Sequence, residues 1–516
     1  EGENFGSTPT VVFGGNSATI ISASETKIKC FTPSFVTLTK KSRANKVDIK
    51  IYKNSDSEPI EYDKAYSYVN SSQVCVNIND QLMPQIISDG NGGPFMAWED
   101  KRSGTPVIYT QKINSDGSAA WDANGVLVCQ FNSEKHSPRL ARDGTGGIFV
   151  VWEDLRNDTG SKTNIDLYFQ RIDAAGQRVL TQSEILSNMP KHQTAPNIVY
   201  TGDNKAIVVW EHETTPGVDH DIYAQKINLD GNLEWGINNI VIVSETESQF
   251  SPRLISYNKG AIIVWEDSRN GSTRRDIYAQ RVDAFGNLQW ATEGKAVSGH
   301  KTDQWLPEIV SSNSGNAIIT WFEQESPGLN TYDVYAQKIS SDGNILWNSD
   351  VAVCTAAGNQ NWNRIISDGN NGAIISWFDT RSSTNRETGG IYAQRITKDG
   401  GLLWANNGVL IKDNVVFDET NNISGYGTTT DGNNGAIVCW TDTRDSNVDI
   451  YAQRINGYGD LVWYGEGIIV VGSTGIQTFP QIAKDGSGGA FISWADYRSG
   501  DSDIFLQKID LSGALK

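Results

Sequence analysis

The side chains best placed to do chemistry in this chain are those that interrupt a regular pattern. Trp210-Glu211-His212-Glu213 and Trp321-Phe322-Glu323-Gln324-Glu325 stand where other segments read Trp-Glu-Asp-x-Arg, and Asp303 lies just ahead of Gln304 and Trp305. Cleaving a glycosidic bond takes two carboxyl groups about 5–10 Å apart on either side of it. Glu211, Glu213, Asp303, Glu323 and Glu325 are the candidates outside the repeated pattern. A second set suits recognition: His136, His192, Gln193, Phe250, His300, Asp303, Gln304, Trp305, Gln360, Trp362 and Phe479 mix aromatic faces with amides, imidazoles and a carboxylate. Stacking area with a few orienting polar groups is how a sugar or peptide site is made. Trp305 and Trp362 are the only two of the 16 tryptophans outside two repeated Trp positions. The competing reading for both is packing between repeats.

Other chemistries find little support. His212-Glu213 with His220 is the most zinc-like cluster, but neither H-x-x-x-H nor HExxH spacing occurs. No GxSxG elbow or nucleotide-binding glycine loop stands in its required context. The loops Asp89-Gly-Asn-Gly-Gly93 and Asp368-Gly-Asn-Asn-Gly372 lack the alternating carboxylates of a calcium loop. No cofactor or metal is expected, and structural calcium has no motif behind it. The five cysteines are scattered, odd in number and without CxxC spacing, which points to buried free thiols.

These residues ride on a repeat. Trp-Glu-Asp-x-Arg, followed by Asp-Ile-Tyr-Ala-Gln-Lys/Arg-Ile, recurs with its first Trp at 98, 152, 210, 265, 321, 377, 440 and 494, a period of 54–63 residues. A constant period of this size marks repeated supersecondary units. In the third copy, Pro196–Tyr200, Ala206–Trp210, Asp221–Ile227 and Ile240–Val243 are β-branched or alternating runs separated by turns such as Leu229-Asp-Gly231. That is four antiparallel strands without helical periodicity. Eight such units predict an all-β chain with an eight-bladed β-propeller over 71–516. The last copy lacks its outer strand, and an unattached strand, residues 73–77, precedes the first copy. The ring is therefore expected to close with the early strand completing the last blade. The loops carrying the pattern-breaking residues then gather at one mouth of the channel.

The repeated polar residues read as structural. Arg102, Arg156, Arg269, Arg381, Arg444 and Arg498 are expected to be bracketed by two carboxylates, such as Asp154 and Asp166 for Arg156. Gln81, Gln193, Gln249, Gln304, Gln360 and Gln477, with Lys135 and Asn421 in the remaining copies, lie three residues before the expected start of each innermost strand. They are expected to stitch blades or satisfy loop backbone.

Residues 1–70 lack the repeat and alternate as a small β-sandwich does. Within them GENFGSTPTVVFGG, SASETKIKCFTP and AYSYV resemble the IPT/TIG immunoglobulin-like family over residues 2–69. Such domains usually carry one more strand before GENFG, so the resemblance implies a chain cut from a longer one. Residues 71–516 resemble the tandem WEDxRxG…DIYAQRI…DG…W propellers of secreted and cell-surface proteins of Bacteroidota-type bacteria, a resemblance that implies no activity. Ser115-Asp-Gly-Ser-Ala-Ala-Trp121 echoes a sialidase Asp-box but departs from S-x-D-x-G-x-x-W.

A formal charge of −18 with no Lys/Arg run argues against nucleic acid, and no stretch of about 20 apolar residues offers a membrane span. The expectation is a non-enzymatic, extracellular or cell-surface binding or adhesion module, a monomeric ring whose partner is a glycan or a cell-surface or secretion-machinery protein. The alternatives are a glycosidase or lyase using mouth carboxylates, and a spacer without ligand.

Overall fold

The computed structural model describes residues 71–516, apart from 159, 161–163, 182, 188, 216–218, 272–273, 301, 327–330, 384–387, 417–424, 445–446, 464 and 474. Before residue 71 it describes short strand segments alone, and the sandwich expected over 1–70 lies outside the described residues, as does Asn421. Two compact units separate, 1–71 with 515–516, and 72–514.

Each repeat forms a four-stranded antiparallel sheet in chain order. In blade three the strands are Gln193–Tyr200, Lys205–Thr215, Asp219–Asn228 and Ile240–Val243. The second strand reads as a continuous apolar run, Ala206–Trp210, because neighbouring blades cover both of its faces and bury it completely. Eight such sheets follow one another. The innermost strand of each packs on that of the next, and Gln477–Lys484 of the eighth packs on Gln81–Ser88 of the first. The eighth sheet is completed by Ser72–Cys75, which pairs with Asp503–Ile509 and sets Cys75 opposite Ile504. The eight-bladed all-β ring and its closure match the sequence reading. Among the described residues, no helix is long and apolar enough to cross a membrane.

The core lies between blades. Phe95, Ala97 and Ile108 of blade one pack with Leu140, Val150 and Trp152 of blade two. Met96 and Trp98 of blade one meet Phe491 and Ile504 of blade eight, with Val74 and Cys75 between them. No blade can bury its faces alone, so the ring is held together as a whole.

The repeated motif builds a stack inside each blade. The Trp98 indole N–H donates to Asp100 at 2.9 Å, and Arg102 donates to the same carboxylate at 2.6 Å. The Arg102 guanidinium lies 3.7 Å from the centre of the Tyr109 ring, which stacks on Trp98. Blades two, four, six, seven and eight repeat the Asp–Arg pair over an aromatic ring. The expected two-carboxylate bracket is therefore corrected: one side of the guanidinium is an aromatic face, which suits its flat, weakly hydrated shape. The second carboxylates turn elsewhere, Asp166 to Asn157 and Asp503 to Ser499. Cys75, Cys129, Cys354 and Cys439 are buried free thiols. Burial pushes Cys75, Cys354 and Cys439 up to about 12, which removes them as nucleophiles.

The second repeated Trp joins blades at the outer rim. Trp121 donates to the Ala174 carbonyl of the next blade at 3.1 Å, and its ring lies over Gly176, where an added Cβ would come within 2.7 Å. Gly176 also has φ +80°, so both the turn and the tryptophan demand glycine.

Candidate functional site

Six innermost strands begin at the Gln residues themselves and that of blade two at Lys135, three residues earlier than expected. In these seven blades the strand starts, takes one residue of positive φ, and resumes pairing after a bulge. Met83, Ser137, Ala195, Ser251, Leu306, Trp362 and Phe479 have φ between 48° and 54° and stand at this position in seven blades. Residues other than glycine rarely adopt this conformation, and it persists where surroundings over-determine it. Here the fixing partner comes from the preceding blade. Glu99 accepts the Ser137 N–H at 3.0 Å, Glu153 that of Ala195 at 3.0 Å, Glu211 that of Ser251 at 2.7 Å, and Glu266 that of Leu306 at 2.9 Å. Four carboxylates from four consecutive blades thus each hold the bulge of the next blade.

Two residues beyond the bulges, and at the matching position of blade seven, a second register circles the axis. Gln85, Arg139, Asn197, Arg253, Glu308, Arg364, Gly427 and Gln481 each stand opposite the residue preceding the first Trp of their blade. Their side chains meet across blades: Glu308 is 3.4 Å from Arg253 and 3.7 Å from Arg364.

The two registers are electrostatically coupled around blades two to four. Burial raises the Glu211 carboxyl to about 7; the charges of Glu266 and Glu153 add to this, while the Ser251 N–H and Arg253 oppose it. Glu153 is raised by burial as well. Glu266 is buried and ion-paired to Arg275 at 2.5 Å. A half-buried carboxyl that keeps its proton near neutrality, beside an ion-paired carboxylate, is the division of roles that acid–base chemistry uses.

The residues singled out from sequence are not one cluster. His136 is 3.0 Å from Glu99 and 3.6 Å from Glu134, and its pKa is raised chiefly by the Glu99 hydrogen bond. His300 holds Glu323 at 2.9 Å, and Glu323 accepts the Trp321 indole N–H at 3.0 Å. This pair repeats the Asp–Arg arrangement with other residue types, so Glu323 belongs to the blade's interior. His212 replaces the aspartate in blade three and packs edge-on against Tyr223, leaving the Trp210 indole N–H without a partner. His192 lies 4.0 Å from Glu213. Burial lowers the pKa of His212 and His220. Among the described residues no His, Cys, Asp and Glu group is arranged to hold a metal.

Gln193 donates to the Met189 and Lys191 carbonyls, and Gln249 and Gln477 bind their own loops in the same way. Gln360 reaches the Ala357 carbonyl, while Gln304 accepts the Ile277 N–H at 2.9 Å. Asp303 accepts the Arg275 N–H at 2.9 Å. Phe250 is sandwiched between His220 and Arg275. Trp362 occupies a bulge and packs against the cluster containing Phe378, its carbonyl accepting the Tyr426 hydroxyl at 2.6 Å. Phe479 occupies the corresponding bulge in blade eight. Trp305 differs: half-buried, it stacks on Phe322 and meets Tyr332 edge-on at 5.2 Å, forming an aromatic cluster.

Sequence reasoning passed over Glu153, Glu266, Arg139, Arg253, Glu308 and Arg364. The glutamates were hidden inside the repeat. The second register had a signal, a polar residue following Pro84, Pro138, Pro196, Pro252, Pro307 or Pro480 at the head of an apolar run.

No family model and no curated protein matches the chain. Among solved structures it is similar to an ulvan lyase bound to a glucuronate–sulfated rhamnose unit, at 10% identity over 86% of this chain and 98% of that one, TM-score 0.45. An α-L-arabinanase of Penicillium chrysogenum matches at 12% identity over 74% and 94%, TM-score 0.41. A protein of unknown function from Dyadobacter fermentans matches at 9% over 85% and 97%, TM-score 0.38. The expectation of a chain without enzymatic activity is corrected: a missing motif does not exclude catalysis. That expectation is withdrawn.

Proposed function

We propose that the propeller is carbohydrate-active, binding a polysaccharide across the mouth of blades two to six and cleaving it with Glu211 as proton donor. The observation that carries this reading is the convergence of Glu153, Glu211 and Glu266 from three consecutive blades beside Arg253. In hydrolysis Glu211 protonates the leaving glycosidic oxygen while water adds to the anomeric carbon, its released proton passing to a second carboxylate. Glu266, ion-paired to Arg275, is that second group. The Trp305–Phe322–Tyr332 platform, on blade five, offers an apolar face to a sugar ring. A polymeric glycan substrate goes with an extracellular or cell-surface setting.

The test is release of new sugar ends from a panel of neutral polysaccharides, arabinan among them, and acidic ones such as ulvan. The parent chain should cleave at least one, and Glu211→Gln should abolish that cleavage while folding normally. A parent chain inactive on the whole panel, or an unimpaired Gln variant, would sink the reading.

A further inference from the structure

Resting on the polysaccharide reading, a further step concerns what kind of polymer the ring takes. Three arginines, Arg139, Arg253 and Arg364, share the register that circles the axis just beyond the bulges. They adopt one arrangement: each donates through Nη1 to the carbonyl of the residue before it, Pro138, Pro252 and Asn363, at 3.0–3.3 Å. That anchors one nitrogen and leaves the rest of each fork to other partners.

Those partners are scarce. Glu308 is the single acid at this register, and its contacts of 3.4 and 3.7 Å are too long for a two-pronged pair. Among the described residues, no carboxylate lies within ion-pair distance of Arg139. The Arg364 side chain is 44% exposed, open to an incoming group. All this occurs in a chain of formal charge −18, so the positive strip runs against the molecule's overall sign. Burial, and then the charge of Arg253, also push the Arg139 pKa down, which marks a cation short of counter-charge. The groups facing the strip include Glu153, Glu211 and Glu308. Of these, Glu211 carries its proton up to about 7 and so repels an anion little below that pH.

We propose that the ring selects an acidic polysaccharide, with Arg139, Arg253 and Arg364 binding carboxylate or sulfate groups borne by successive sugars. A guanidinium fork matches either group with two parallel hydrogen bonds. Its positions on blades two, four and six suit a chain laid across the channel, with Trp305 stacking one sugar between the outer two cations.

The experiment measures binding of the whole chain to polygalacturonate, to its carboxyl-reduced neutral form, to a sulfated galactan and to arabinan, at low and high salt. Polygalacturonate or the sulfated galactan should be retained and the reduced form lost, and which acidic polymer wins separates carboxylate from sulfate recognition. Arg253→Gln should weaken retention by about tenfold or more, the loss of a charge-assisted hydrogen bond, and so should the more exposed Arg364→Gln. Because the latter perturbs the interior least, it keeps the test decisive where Arg253→Gln unfolds. Equal binding of the neutral and acidic forms, or retention indifferent to both substitutions, would overturn the proposal. The two readings fail separately. Salt-sensitive retention of an acidic polymer that the parent chain never cleaves supports the arginine strip and ends the cleavage reading. Cleavage of arabinan alone, untouched by Arg364→Gln, does the reverse.

Discussion

Blades one to four and blades five to eight differ consistently at the residue after the first Trp. The residue after the first Trp is Glu99, Glu153, Glu211 and Glu266 in the first half, and Phe322, Phe378, Thr441 and Ala495 in the second. In the first half each glutamate holds the strained bulge of the next blade through a backbone N–H. In the second half the same bulges form without it. Trp362 follows Phe322, Phe479 follows Thr441 and Met83 follows Ala495, all at positive φ. The ring therefore does not need a carboxylate to make a bulge. Four acids kept at its mouth, three of them coupled around Arg253, are more than the architecture asks for.

The contrast can be broken by substitution. Glu211→Gln should lower polysaccharide cleavage by at least about a hundredfold, the usual contribution of a general acid, with the fold retained; an equal loss per folded molecule in Phe378→Ala would erase the distinction between halves. Phe378→Ala should instead cost about 3–5 kcal/mol in a denaturant titration, as emptying a buried aromatic site does. Glu99→Ala should cost about 1–3 kcal/mol by the same measurement, since it strands the Ser137 N–H and releases His136. Trp305→Ala should weaken glycan binding roughly tenfold by removing the stacking face, whereas unchanged retention would remove blade five from the site.

The smallest effect is on pH dependence. The folded state holds the Glu211 proton to about 7 and the unfolded chain releases it near the ordinary value of 4.5. Stability from this group is full below 4.5 and is lost as pH rises towards 7, because the folded state then binds the extra proton. Asp221 and Asp333, raised to about 6 by burial, add in the same direction. Thermal unfolding followed between pH 4 and 8 should show this fall, flattened in Glu211→Gln.

Blade number, strand order and ring closure were legible because a tryptophan, a turn and a β-branched run recur at nearly fixed intervals. The start of the inner strands was misplaced by three residues for a physical reason. Pro196 and its equivalents lack an N–H and read as strand beginnings, and nothing local announces that Ala195 takes a left-handed conformation. The mouth was harder still. Glu153, Glu211 and Glu266 are separated along the chain by whole repeats, and the curvature of the ring brings one glutamate from each of three blades together beside Arg253 of blade four. The histidines and Trp362 drew attention by breaking the pattern, yet most of them satisfy the interior by other means. Glu153 conforms to the pattern and was overlooked for that reason.

Ser72–Cys75 is among the first parts of the ring to leave the ribosome and the last to find its place. Its partner, Asp503–Ile509, follows more than 400 residues later, a span seen directly in the Asn77 N–H bound to Asp503 across 426 positions. During synthesis that strand waits with its edge unpaired, while seven nascent sheets accumulate behind it. Such distant pairing is slow to form and leaves a sticky edge exposed in the meantime. The device that closes the ring thus makes the growing molecule dependent on protection until Asp503–Ile509 has emerged.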